Sequence, residues 1–275
     1  MSTTELRPVE DIGGFYDQMG GLIEVMGGNI HVGYWHDDED QTPLLEAINR
    51  LTDIVGAKVD LQPGQHLLDV GCGVGMPAIR LGQRVEARIT GVTISDWQVQ
   101  EATRRIKAHG LRGQVEVELG DAADLAFEDE SFDAVLLFQS LQHATDRGQW
   151  LREAVRVARR GARVVLTEFI EEIPLRPDEV EILRAGAMHP PLRYRELLEV
   201  VGASGIVVDD VLDCGDRIRR SYPGYFDRLD RHRDHLVEAF GEERVDMQRE
   251  AMSTLLPIYR DKIGYLVVTG HKPRR

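Results

Sequence analysis

Asp69, Gly71, Gly73 and Gly75, in "HLLDVGCGVG", stand at every second position behind a run of β-favouring apolar residues. A glycine turn between a strand and a helix lets a ligand approach backbone N–H groups at the positive end of the helix dipole. The spacing then selects the ligand. A dinucleotide fingerprint runs G-x-G-x-x-G, its third glycine letting helix and strand pack; here the run is G-x-G-x-G and the next residue is Met76. An acid at the strand end repels a pyrophosphate and suits a ligand that brings its own positive charge, such as the ammonium of an amino acid. Two other groups are able to take a proton, Glu168 in "LTEF" and His143 in "SLQHAT", each at the end of an apolar run. Each also has an ordinary reading, the glutamate capping a neighbouring loop and the histidine serving as a structural hydrogen-bond partner near a helix start.

The elements that must position these groups follow from periodicity. "TPLLEAINRLTDIVGAKV" carries Leu44, Leu45, Ile48, Leu51, Ile54 and Val55 at helical spacing behind a Thr-Pro start. From residue 66, strands and helices alternate: "HLLDV", "ARITGV", "QVEVELGD", "FDAVLLF" and "ARVVLTEFI" read as five strands. Between them, "DWQVQEATRRIKAHG" reads as a helix closed by Gly110 and "RGQWLREAVRVARRG" as one ended by Gly161. Alternating βα units with apolar strands predict an α/β fold, a doubly wound and mostly parallel sheet with helices on both faces. After Glu171 come prolines, one helix in "YRELLEVVGA", a strand "GIVVDDVLD", a long polar helical region from about Pro223 to Arg260 and a last strand "GYLVVTG". The expected organisation is an N-terminal helical cap over 1–60, a ligand-binding core over 61–170, a lid with the sixth strand over 171–225, and a long helix with the last strand over 226–275.

The Asp69–Gly75 stretch resembles motif I of the class I S-adenosyl-L-methionine (SAM)-dependent methyltransferases, and the resemblance extends along nearly the whole chain. "GDAADLAFEDESFDAVLLF" is similar to the segment in which that family's aspartate, here Asp121, accepts from the adenine amine beside Ala122. "FQSLQHATD" lies where the family sets main chain, here at Gln139, next to the methionine moiety. "GYLVVTGHKP" resembles the antiparallel seventh strand. Many members end strand two with an acid that holds the ribose. Here the strand ends "GVTISDWQ", as in the branch containing tocopherol-type, rebeccamycin sugar and mycolic-acid cyclopropane enzymes. That branch implies Thr93 and Gln98 at the ribose, with Ile94 and Ser95 beside it and Cys72 in the glycine loop. "NIHVGYW" also looks like this branch, implying Tyr34 over the cofactor, where an aromatic face favours a sulfonium.

The resemblance implies SAM as cofactor and S-adenosyl-L-homocysteine as product. Methyl transfer to a small-molecule acceptor is an in-line displacement that needs alignment and dryness, and a base only where the acceptor sheds a proton. Glu168 and His143 are the candidate bases. The rebeccamycin-type enzymes carry an aspartate at the first position and a His-His pair at the second, where this chain has Gln142-His143. Tyr16, Gln142 and His189 are expected on the acceptor side. Methylation at O, N or C of a specialised metabolite is the leading reading. A cofactor-retaining cyclase, or a C-methyltransferase working through a carbocation, is the alternative on the same fold. A SAM-sensing scaffold is disfavoured by the two candidate bases, and a nicotinamide oxidoreductase by the glycine spacing and Asp69.

Bulk properties set the bounds. The chain has 275 residues, 42% hydrophobic and 29% charged, with formal net charge −14, which argues against a nucleic-acid surface. Two cysteines, Cys72 and Cys214, give no disulfide framework and point to the reducing cytoplasm. The first residues show no apolar signal core, and no run approaches a membrane span. The acids of "HDDED" read as a solvated turn, so no metal is expected. Helices after residue 220 can either cover the core or join copies in a homo-oligomer.

Overall fold

The alternation of apolar strands and helical periods from residue 66 builds a single sheet. Its strands are β1 (His66–Val70), β2 (Arg88–Thr93), β3 (Val115–Leu119), β4 (Phe132–Leu137), β5 (Ala158–Glu171), β6 (Val207–Asp213) and β7 (Ile263–His271). They lie in the order β3-β2-β1-β4-β5-β7-β6. The first five are parallel, and β7 runs antiparallel between β5 and β6. The computed structural model describes Gly14 and residues 20–25, 27–186 and 188–274; Tyr16 lies outside these residues.

The early helices are α1 (Gly20–Val25), α2 (Leu44–Val59), α3 (Met76–Gly82), α4 (Asp96–Ala108) and α5 (Arg147–Val157). The later ones are α6 (Pro177–Ala185), α7 (Tyr194–Ala203), α8 (Gly215–Ile218), α9 (Ser221–Arg231), α10 (Arg233–Phe240) and α11 (Glu242–Lys262). Period-two alternation divides the strand residues between two cores. Leu67, Leu136 and Val165 face Ile48, Leu51 and Val55 of α2, with α3, α4 and the C-terminal helices on the same side. Leu68, Leu137 and Leu166 face Leu151 and Ala154 of α5 and Leu197 and Val201 of α7. Asp69 therefore falls on the α2 side of the sheet, and Glu168 on the α5 side. The edge strands β3 and β6 carry Glu116, Glu118, Asp209, Asp210 and Asp213, charge that opposes pairing with another chain.

Three sequence expectations need correction. The helix after β4 ends at Val157, not at Gly161, and β5 starts four residues earlier than its apolar run. Ala158 pairs with Phe132 and the register shifts just after, while Gly161, at φ +79°, donates its N–H to Lys272 O at 2.8 Å. Pairing on both flanks draws a helix-like sequence into the sheet. The long C-terminal helical region is three helices, parted at His232 and at Gly241 with φ +85°. The segment expected as a lid contains α6 as well as α7: Pro177 starts α6, and Glu179 is buried against Lys262 at 2.7 Å.

Candidate active site

The carboxyl ends of β1, β2 and β4 open into a cleft of about 990 Å3 of empty space, its mouth included. Its floor is the loop Gly71–Val74, and its walls include Thr93, Ile94, Gln98, Asp121, Ala122, Gln139, Gln142 and His143. A strap, residues 28–31, crosses one side. This is the place where open α/β sheets bind ligands.

The glycines do different work there. A Cβ on Gly71 would stand 2.3 Å from Ser140 Cβ, so that glycine makes room for the chain's own serine, whose Oγ donates to Val70 O at 2.7 Å. Gly73, at φ +55°, faces open space: a Cβ would meet nothing nearer than Gln98 Nε2 at 3.9 Å. Gly75 is the N-cap of α3 and is not part of the cleft wall. The N–H groups of Gly71 and Cys72 both donate to Val92 O, at 2.8 and 3.0 Å, and so are already used. That arrangement does not suit a phosphate. Cys72 packs its thiol against Gly91, and burial pushes that thiol well up.

Asp69 lies beneath this loop and is not itself part of the cleft lining; it is 1% exposed, with both carboxylate oxygens buried and, among the described residues, without a partner. Burial pushes its carboxyl up to about 7. A buried carboxylate with nothing to pair against is costly unless a cation reaches it. The SAM methionyl ammonium is such a cation, so the residues present fit this cofactor. Thr93 Oγ1 donates to Gln98 Oε1, and both are buried at the cleft wall, a preformed pair of the kind that two ribose hydroxyls need. Ile94 is 52% exposed there, an apolar side chain left bare at the mouth. Asp121 is exposed at the cleft, its Oδ1 accepting from Ala123 N at 2.8 Å. Ser95 is otherwise engaged: its Oγ accepts from Gln98 N at 3.1 Å and caps α4.

Tyr34 does not line the cleft. Its N–H donates to Ala47 O at 2.9 Å and its ring meets His36 edge-on at 5.6 Å. Trp35 is buried, its Nε1 donating to Thr42 O at 2.8 Å. The part of "NIHVGYW" that reaches the cleft is its beginning, Asn29, Ile30 and His31. Gln139 anchors this strap. It sits at φ +49°, its N–H donates to Thr167 Oγ1 at 2.9 Å, and its Oε1 accepts from Val32 N at 3.0 Å and Tyr265 OH at 3.2 Å. The strap is thereby tied to β5 and β7.

On the acceptor side the chain brings Gln142, His143, Glu168 and His189 into one neighbourhood. Gln142 and His143 form a 3-10 turn after β4, and Gln142 Nε2 lies 3.3 Å from His143 Nε2. Gln142 O accepts from His189 N at 3.0 Å, while Gln142 Oε1 is buried with no partner. Glu168 is 1% exposed and does not line the cleft. Its Oε1 accepts from Phe169 N at 2.9 Å and its Oε2 lies 3.5 Å from Arg147 Nε. Burial pushes Glu168 up to about 7, against the pull of Arg147. Arg147 also donates to His189 O at 3.4 Å and Pro190 O at 3.2 Å, joining the loop at 189–190 to Glu168. Burial, with Arg147 and Arg184 nearby, holds His189 below its usual value.

Sequence reasoning missed His31, Arg147, Ser140 and Trp150. Only His31 carried a signal, as the residue two places before "GYW". The turn at 37–40 is solvated: Asp40 bonds Thr42, His36 N and Arg50, and these hold its carboxyl well below the usual range. Among the described residues, no three His, Cys, Asp or Glu side chains converge as a metal site.

Residues 68–166 match the family model described as "Methyltransferase domain". The chain is 42% identical over 268 residues to a 27-O-demethylrifamycin SV methyltransferase of Amycolatopsis mediterranei, covering 96% of this chain and 97% of that one. It is 31% identical over 270 residues to the methyltransferase GfsG of Streptomyces halstedii, covering 96% and 94%. Its fold superposes on the [4+2]-cyclase SpnF with TM-score 0.84 and 31% identity, over 95% and 96% of the two chains. Relatives that match from end to end, over a cleft that fits the cofactor, place the chain in a family: it belongs to the SAM-dependent methyltransferases.

Proposed function

We propose that this methyltransferase acts on a hydroxyl oxygen of a bulky specialised metabolite. The observation that carries this reading is the pair of proton-accepting groups at the ends of β4 and β5, His143 and Glu168. An alcohol must shed a proton as its oxygen attacks, so it needs a base at the transfer step; an alkene attacks without losing one, and its proton leaves only afterwards, from the carbocation. The 42% identical relative is itself named for an O-demethylated rifamycin, which supports oxygen over nitrogen or carbon.

When bound, SAM supplies a methyl group on a sulfonium, whose transfer leaves the bonding pair on a neutral thioether sulfur. Asp69 holds the ammonium, Thr93 and Gln98 the ribose, and Asp121 the adenine amine. His143 lines the cleft and Glu168 does not, so His143 is the group that meets the acceptor hydroxyl and takes its proton. Glu168, pushed up to about 7 by burial, does not meet the acceptor itself and exchanges a proton near neutral pH on that side. Gln142 Oε1, buried and unpaired, accepts from a polar group of the acceptor, with His189 beside it. The strap and the lid loop exclude water. The acceptor is a small molecule and not a nucleic acid. Two free, buried thiols, Cys72 and Cys214, support a reducing cytoplasmic setting.

The test is incubation with methyl-trideuterated SAM and either 27-O-demethylrifamycin SV or a small-molecule extract of the source organism, followed by mass spectrometry. A labelled product whose fragments carry the methyl on oxygen supports the reading; label on nitrogen or carbon overturns the oxygen assignment. A second reading, a cofactor-retaining cyclase, is favoured by the 31% identity to a [4+2]-cyclase along the whole chain. Conversion of an extract component with no mass change and no label would put that reading first.

A further inference from the structure

The methionyl end of SAM is a zwitterion, and Asp69 answers only its ammonium. Among the described residues, one buried side-chain nitrogen has no partner, His31 Nδ1, and His31 lines the cleft. The ring is held in place. It packs on Phe138 with centroids 4.2 Å apart, and the N–H of the next residue, Val32, donates to Gln139 Oε1 at 3.0 Å. Asp69 pairs in register with Leu136 on the neighbouring strand, and Phe138, two residues on, shares the face of Leu136. His31 therefore stands against the end of the strand beside Asp69, on the same side of the sheet. Burial pushes its imidazole down to about 3, so it stays neutral and sets no fixed cation against a sulfonium. A neutral imidazole still has one N–H to give, and a carboxylate is a strong acceptor for it. Among the described residues, the other buried side-chain atom on the cleft wall without a partner is Gln142 Oε1, which accepts only and cannot serve a carboxylate.

We propose that His31 donates from Nδ1 to the carboxylate of the cofactor's methionyl end, with Asp69 on the ammonium. Strap and β1 then read the amino acid as a zwitterion, one charge each. The inference rests on the cofactor and is independent of the proposed acceptor.

Calorimetric titration of the full chain decides it, using S-adenosylhomocysteine and its decarboxylated analogue, S-adenosyl-3-thiopropylamine, as probes. His31→Leu is expected to weaken S-adenosylhomocysteine about 10- to 100-fold, the range of one charge-assisted hydrogen bond, and to leave the analogue nearly unchanged. His31→Asn sets an amide N–H near the place of Nδ1 and is expected to restore most of the affinity. Equal losses for both probes, or no loss for either, overturn the proposal. Where His31→Leu does not fold, the wild type still decides: equal affinity for both probes means that nothing reads the carboxylate. A wild type that binds neither probe overturns this inference and the cofactor assignment together. A wild type that binds S-adenosylhomocysteine, with a His31→Leu variant that binds it equally well, overturns this inference alone.

Discussion

Asp69→Asn separates the cost of a buried carboxylate from its use. In the free protein the Asp69 carboxyl is pushed up to about 7 by burial, with both oxygens unpaired, whereas an unfolded aspartate ionises near 3.9. The folded state thus binds the proton more readily, so this group's contribution to stability is fullest below about pH 4. It falls as the pH rises towards 7, by roughly 1.4 kcal/mol per unit, and reaches about 4 kcal/mol lost at the upper end. Glu168, also pushed up to about 7, gives a slope of the same sign, so Asn at position 69 should remove about half of the combined slope. The ligand reverses the sense of the effect. An ammonium needs the ionised carboxylate, and below pH 7 each binding event must first expel a proton. The affinity for S-adenosylhomocysteine should then weaken about tenfold per pH unit below 7, roughly 100-fold by pH 5. The variant, neutral at every pH, should bind weakly and without that slope, and its apo form should melt higher than wild type at pH 8. Calorimetric titrations from pH 5 to 8.5, in buffers of differing ionisation enthalpy, count the proton directly; melting curves of the apo forms give the stability arm. A wild-type affinity that is flat between pH 5 and 7, or an Asn variant that binds as tightly as wild type, would refute the reasoning.

Gly71→Ala should cost roughly 2–5 kcal/mol, combining a left-handed φ with overpacking against Ser140, and should lower the melting temperature by several degrees. Adding Ser140→Gly should recover the overlap and not the backbone strain, so a double mutant no better than Gly71→Ala would contradict this account. His143→Gln should lower kcat about 10²- to 10⁴-fold with KM for SAM little changed, the range for a lost general base; the same loss in KM would make the residue a structural one. Arg147→Met should raise the Glu168 carboxyl further, since among the described residues it is the cation paired with Glu168, and should speed hydrogen exchange at the amides of Met188, His189 and Leu192, which flank the His189 and Pro190 carbonyls that Arg147 holds. A carbon-13 titration of Glu168 that does not move would count against the first half, and unchanged exchange against the second.

The sheet was legible because its information is local and periodic. Five apolar runs separated by helical stretches allow little but a parallel doubly wound core, and strand β7 announced itself as a last apolar run after a polar region. The mistakes came where a neighbour overrode a local signal. Nothing in "EAVRVARRG" says that Phe132 and Lys272 will take its last residues into β5. Nothing in "VEAFGEERV" fixes whether Gly241 bends a helix or ends it, and the left-handed φ there ended it.

The site shows the same division more sharply. Glycine spacing pointed to Asp69, and the family resemblance implied Thr93, Gln98 and Asp121; Asp69 and Thr93 stand at strand ends, Asp121 two residues past β3 and Gln98 in the first turn of α4, places that the alternation of elements fixes. Spacing could not say which glycine clears space for a ligand and which clears space for the protein. Gly71 and Gly73 both line the cleft, but a side chain on Gly71 would collide with Ser140, 69 residues away in sequence, while one on Gly73 would enter open space. In the same way "HVGYW" advertised its aromatic residues, yet Tyr34 and Trp35 are spent on Ala47, His36 and Thr42, and the ring at the cleft is the histidine before them. Unpaired buried atoms make the difference visible. Asp69 and His31 each hold a polar atom that the fold desolvates and leaves unmatched. A folded chain tolerates that cost where a ligand removes it, so an orphaned carboxylate at the end of β1 and an orphaned imidazole nitrogen on the strap beside β4 describe the zwitterion that should lie between them.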